Sequence, residues 1–194
     1  MISIIISIVL GILLGRYSGL PFTYTSEFIQ IGLYLLLFFV GLDIGRSDDL
    51  LRIFRRMGSE AVIVPLLIIV GSIFGGILAG FVFGYNWNEG AALGSGMGWY
   101  SLSGVIIEPY STELSAIAFL SNIFREVIAI ATVPIIASKI GFLPSIAAPA
   151  AGAMDTVLPI ISKATDQTTT IIAFFTGTIL SFSIPILVKF FIAL

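Results

Sequence analysis

The 194-residue chain is 58% hydrophobic and only 10% charged, with a mean hydropathy of +1.12, whereas soluble domains run near roughly 25% charged. This composition belongs in lipid: a spanning helix needs about 20 apolar residues, so roughly five to seven embedded segments fill the chain and leave no room for a soluble catalytic module. A net charge of −2 without a basic tract excludes nucleic-acid binding, and the lack of cysteine and histidine excludes disulfides, thiolate or imidazole metal sites and any nucleophile with a histidine base.

Three early apolar stretches, at 2–14, 27–44 and 60–83, predict ordinary transmembrane helices, each bounded by charged or turn residues. The first lacks a basic leader and a small-residue cleavage site, so it predicts a retained helix rather than a removed signal. The loop at 45–59 carries Arg46, Arg52, Arg55 and Arg56. The positive-inside rule puts this loop, and with it the N-terminus, in the cytoplasm.

The pattern changes near Tyr85. Residues 90–113 hold five glycines, four serines and a proline among apolar residues, poor material for one continuous helix. A conventional span follows at 115–138 with Asn122, Arg125 and Glu126 near its middle. A second interrupted stretch, 143–166, contains Pro144, Pro149, Gly152, Asp155 and Pro159, and a last helix occupies 168–193, with Pro185 predicting a kink. The expected fold is an all-α integral membrane protein of about five full transmembrane helices plus two broken or re-entrant hairpins, 90–113 and 143–166, arranged as an inverted repeat. Residues 1–88 would form a three-helix part, and 89–194 a transport core. Hairpins that return to the side they left put six basic residues inside and two outside, while full crossings put five inside and three outside. The margin is one charge.

An arginine or acid at mid-helix costs about 2.5 to 3.5 kcal/mol on insertion scales, so Arg125 and Glu126 need compensation. Asn122 and Glu126 lie four residues apart on one face, with Arg125 on the flank. Either these groups meet a solute or they form structural ion pairs between helices. Asp155, between Gly152 and Pro159, sits where interrupted helix frees backbone groups for a ligand; an N-cap near an interface is the alternative. In GSGMGWYSLSG, Ser101 and Ser103 offer hydroxyls, and Trp99 and Tyr100 offer faces for an ammonium group. Close packing by small residues explains the same stretch equally. Glu108 and Asp43 are secondary candidates, the first suited to a hairpin rim and the second to an interfacial cap.

GMGWYSLSG, the helix with FREVIAI, and AMDTVLPI, in this order and spacing, resemble the lysine exporter LysO family, and LYLLLFFVGLDIG fits it too. The resemblance covers essentially the whole chain. It implies export of lysine and its toxic analogues across the inner membrane against proton uptake, and points to Glu126 and Asp155 as the important membrane acids. Many relatives are longer by roughly three helices, which implies either a small three-helix membrane subunit or a second copy of this chain as partner. No cofactor is expected beyond the coupling ion, a proton or sodium. Exporters of another small amino acid or organic ion remain an alternative, as does one inactive subunit of a two-component system. An aspartyl intramembrane protease using Asp43 and Asp155 lacks the expected glycine-aspartate context, and a channel would need repeated polar faces.

Overall fold

The structure, a computed structural model, describes residues 10–11, 14–16 and 58–194. The chain divides into two compact units, Met1–Phe39 and Val40–Leu194. In the first, the described residues are helical. The expected span 27–44, Asp43 and the arginines of the loop lie outside the described residues.

Within the second unit the regular elements are α1 (Glu60–Phe83), α2 (Trp87–Gly94), α3 (Tyr100–Ile107), α4 (Thr112–Lys139), the short α5 (Phe142–Ser145), a 3-10 turn at Ala150–Met154, α6 (Leu158–Ala164) and α7 (Gln167–Ile192). Three of them, α1, α4 and α7, are long and apolar enough to cross a bilayer. At about 1.5 Å per residue each exceeds the roughly 30 Å hydrocarbon thickness. Large apolar side chains such as Leu67, Val70, Phe74, Phe124, Phe182 and Ile186 point outward on all three, an arrangement water would penalise and lipid does not. The chain is a multi-pass helical membrane protein.

Local chemistry sets the helix ends. The Ser111 hydroxyl accepts from the Leu114 amide at 3.2 Å, which starts α4 three residues before the expected position. Asp166 caps α7 by accepting from the Thr169 amide at 2.8 Å. At the start of α2, Glu89 reaches back to accept from the Asn86 amide at 2.8 Å. The final helix continues through Pro185.

Lipid offers no hydrophobic drive between helices, so close backbone approach must supply contact. A Cβ on Gly90 would fall 2.7 Å from the Gly76 carbonyl, and one on Gly80 would fall 3.0 Å from the Gly90 Cα. Thus α2 lies antiparallel on the second half of α1, and Gly94 reaches the level of Ser72. There the helix breaks, and α3 returns alongside α4. The ends of this excursion stay together: Tyr85 donates to Glu113 at 2.8 Å and Tyr110 to Glu89 at 3.1 Å.

The second excursion has the opposite sense. Trp87 and Phe191 rings meet at 6.4 Å, so α7 ends where α1 ends, and it begins at the Lys139 end of α4. Residues 140–166 therefore leave and regain that same end, with α6 packed between α4 and α7. Their middle reaches the middle of the first excursion. Around both tips α7 forms the centre of the unit, burying Ile171, Ile172, Ala173, Leu180, Ile184 and Val188.

Candidate functional site

The two interrupted segments meet tip to tip. The Ala151 amide donates to the Met97 carbonyl at 2.9 Å, and both tips carry a non-glycine residue in the left-handed region, Met97 at φ 40° and Ala150 at φ 51°. Such a conformation costs roughly 1 kcal/mol or more; here full burial holds both residues. The first tip is fixed to α4 by Asn122, whose Oδ1 accepts from the Gly98 amide at 2.7 Å while Nδ2 donates to the Ala118 carbonyl at 2.8 Å and to Ser103 Oγ at 3.3 Å. Ser103 in turn donates to the Trp99 carbonyl at 2.8 Å. Both side chains are buried and committed to protein partners.

Glu126 and Asp155 are half-buried. Both lie within electrostatic reach of the Tyr100 hydroxyl. Among the described residues Glu126 accepts no hydrogen bond, and Asp155 accepts only from its neighbour, the Thr156 amide at 2.6 Å and hydroxyl at 3.2 Å. Asp155 is not the cap of the following helix: Val157 holds that position. The Tyr100 ring is propped edge-on against Phe119 at 5.5 Å, and Trp99 beside it is 38% exposed. Ser101 is exposed on the same short helix, while Glu108 is exposed at its outer end, away from the tips.

Arg125 points elsewhere. One residue is about 100° of helix rotation, which carries it from the Glu126 flank past Asn122 to the opposite one. Its Nε donates to the Ala148 carbonyl at 3.0 Å, Nη2 to the Ala147 carbonyl at 3.1 Å and Nη1 to Ser72 Oγ at 2.6 Å. No described carboxylate forms an ion pair with it. It lines a cavity of about 420 Å³ bounded by α1, α2 and α4, which extends along α1 from Gly71 to Phe83 and Tyr85. Neither Glu126 nor Asp155 borders this space. The sequence places Arg125 and Glu126 side by side; the fold turns them to two flanks of one tip.

Sequence reasoning missed Ser72, the glycine-lined cavity wall and the two tyrosine–glutamate ties. The wall had a signal, since Gly71, Gly75 and Gly76 recur at helical spacing on α1.

Comparison with known proteins bears on this arrangement. The profile described as "Lysine exporter LysO" matches residues 5–192. A protein of Escherichia coli K12 named lysine exporter LysO is 32% identical over 190 residues, covering 96% of this chain and 62% of that protein. A protein of Haemophilus influenzae, named provisionally as a lysine exporter, is 28% identical over 190 residues, covering 97% of this chain and 94% of its own length. The chain thus spans less than two thirds of the E. coli relative. No solved structure matches.

Proposed function

This chain belongs to the lysine exporter LysO family, and from that premise we propose that it is a secondary transporter, not an enzyme, which exports lysine and cationic lysine analogues across the cytoplasmic membrane in exchange for protons. The observation that carries this reading is the pair of half-buried carboxylates, Glu126 on α4 and Asp155 just past the second tip, both within electrostatic reach of Tyr100 and, among the described residues, with no cationic side chain paired to either. A site of net negative charge suits a substrate with two ammonium groups and one carboxylate.

Glu126 and Asp155 receive the ammonium groups, the Tyr100 and Trp99 rings offer a cation–π surface, and a carboxylate that alternately holds an ammonium or a proton couples the two flows. Asn122 and Ser103 hold the tip in register, and Ser101 borders the site. The interrupted segments act as re-entrant hairpins from opposite membrane faces, an inverted repeat of the kind that builds midplane sites. Support comes from their tip contact and their opposite sense. The loop arginines orient the Glu60 end of α1, and the N-terminus, toward the cytoplasm. A second copy of the chain, or a small three-helix membrane subunit, is its partner.

Reconstitution tests the reading. Proteoliposomes holding the chain should move radiolabelled lysine down an imposed pH gradient, and Glu126→Gln should abolish that movement. Lysine flux independent of the gradient would refute proton exchange.

A further inference from the structure

Arg125 stands at the middle of a spanning helix, half-buried, and its three protein acceptors are all uncharged: the Ala147 and Ala148 carbonyls and the Ser72 hydroxyl. A guanidinium carries five N–H groups, one on Nε and two on each Nη. The three hydrogen bonds use one of each, which leaves one N–H on Nη1 and one on Nη2 without a protein partner among the described residues. Left to lipid, the charge and both donors would face hydrocarbon, a placement that spanning segments avoid.

The wall beside Arg125 suits a helix. On α1, two sets of small residues recur four apart. Gly76 and Gly80 face α2, where an added Cβ would come against the Gly90 backbone. Gly71, Gly75 and Ala79 form the other set; all three are exposed, and a Cβ on Gly71 or Gly75 would meet nothing within 4 Å. Small residues at this spacing let helix backbones approach closely in a membrane, and α1 already uses its first set in that way. The second set and Arg125 line the same cavity of about 420 Å³, whose other walls are mostly glycine and apolar side chains such as Phe83, Leu93 and Ile117. Such walls give water few partners.

The charge of the occupant follows from the acids of the chain itself. Neither Glu126 nor Asp155 borders this cavity, and residues 2–14 and 28–42, the interiors of the two upstream apolar stretches, hold no acidic residue. A second copy on this face would bring another Arg125 toward the first, setting like charges against each other in a medium of low dielectric. A helix of a different chain, with an acid at mid-depth, meets both requirements: its carboxylate takes the two free N–H groups, and its backbone takes the small-residue stripe.

We propose that Arg125 and the Gly71, Gly75 and Ala79 face of α1 dock a transmembrane helix of a different subunit, which lays small residues on the glycines and presents one carboxylic acid to the guanidinium. This rests on the reading that the chain has a membrane partner and selects a distinct subunit over a second copy; it is independent of what is transported.

The test is association of the fluorescently labelled full chain with synthetic transmembrane peptides in phosphatidylcholine vesicles, read by energy transfer. The probe is a leucine-rich helix with glycines four apart on one face and a glutamate at mid-length. It should associate at least tenfold more tightly than a peptide with glutamine in place of the glutamate, or one with leucines in place of the glycines. Gly75→Leu in the chain should abolish association and leave the melting temperature unchanged. Arg125→Gln should lose the preference for glutamate over glutamine, and Arg125→Lys should keep part of it. Equal association of the three peptides with wild type, or unchanged association by Gly75→Leu, overturns the interface. Energy transfer between two labelled copies of the chain that Gly75→Leu abolishes gives the face to a second copy and overturns it as well. Failure of lysine export with this pattern of association intact overturns the exporter reading alone.

Discussion

The Ala151 amide and the Met97 carbonyl, 54 positions apart in the sequence, share a 2.9 Å hydrogen bond where two interrupted segments of opposite sense meet. Each segment has broken its helix to get there, and each would strand backbone groups in lipid without the other. Irregular backbone at membrane depth is tolerated only where protein or a cavity surrounds it. The tip contact is thus a condition of the fold as well as a frame for the site.

Packing of α7 against the second tip should be intolerant of any side chain at Gly177. A Cβ there would lie 2.6 Å from the Met154 Cβ and 2.7 Å from its amide nitrogen, with the Ala151 carbonyl at 2.8 Å. Two of these three are backbone atoms, so relaxation must move the tip. Gly177→Ala should lower stability by about 1 to 3 kcal/mol, read as a lower melting temperature in detergent, whereas Gly71→Ala should leave it near wild type.

Asn122 should act through the first tip. Replacing it with leucine removes the acceptor of the Gly98 amide and both donor contacts, leaving a half-buried backbone N–H without its partner at a cost of about 1 kcal/mol. Hydrogen exchange at Gly98 should accelerate strongly in Asn122→Leu while the amides of the α1 interior keep their protection. Unchanged exchange at Gly98 would remove Asn122 from this role.

Two phenols at the outer end of the first segment should make stability fall in alkali. Hydrogen bonding to Glu113, then desolvation, then the charges of Glu113 and Glu89 push the Tyr85 hydroxyl above its ordinary value near 10; hydrogen bonding to Glu89 is the main cause for Tyr110. A raised folded-state value means that the stabilisation is complete below pH 10 and lost as pH climbs through the folded-state value. Melting temperature should therefore decline above pH 10, and the Tyr85→Phe, Tyr110→Phe double variant should show a shallower decline from a lower start.

Much of this architecture was legible before any coordinates. Runs of apolar residues located α1, α4 and α7 to within a few positions, because hydropathy over about 20 residues leaves few alternatives. Glycine and proline marked both breaks, since neither residue favours a helix interior. What could not be read was long-range: which tip faces which, and that Ala150, an ordinary helix former, would sit in the left-handed region. Arg125 and Glu126 share one dipeptide, yet their rotation to different flanks depends on where the first tip docks. Nothing in the local sequence pairs Tyr85 with Glu113 or Tyr110 with Glu89; the fold draws these four separate positions to one end.

Lysine binding to charge-neutral variants is the most direct test of the acidic pair. Among the described residues neither the Glu126 nor the Asp155 side chain forms a bond between elements, so Glu126→Gln and Asp155→Asn should melt close to wild type, and each should weaken lysine binding at least tenfold in equilibrium dialysis of the purified chain. Variants that keep the wild-type fold and bind lysine as tightly as wild type would contradict the account.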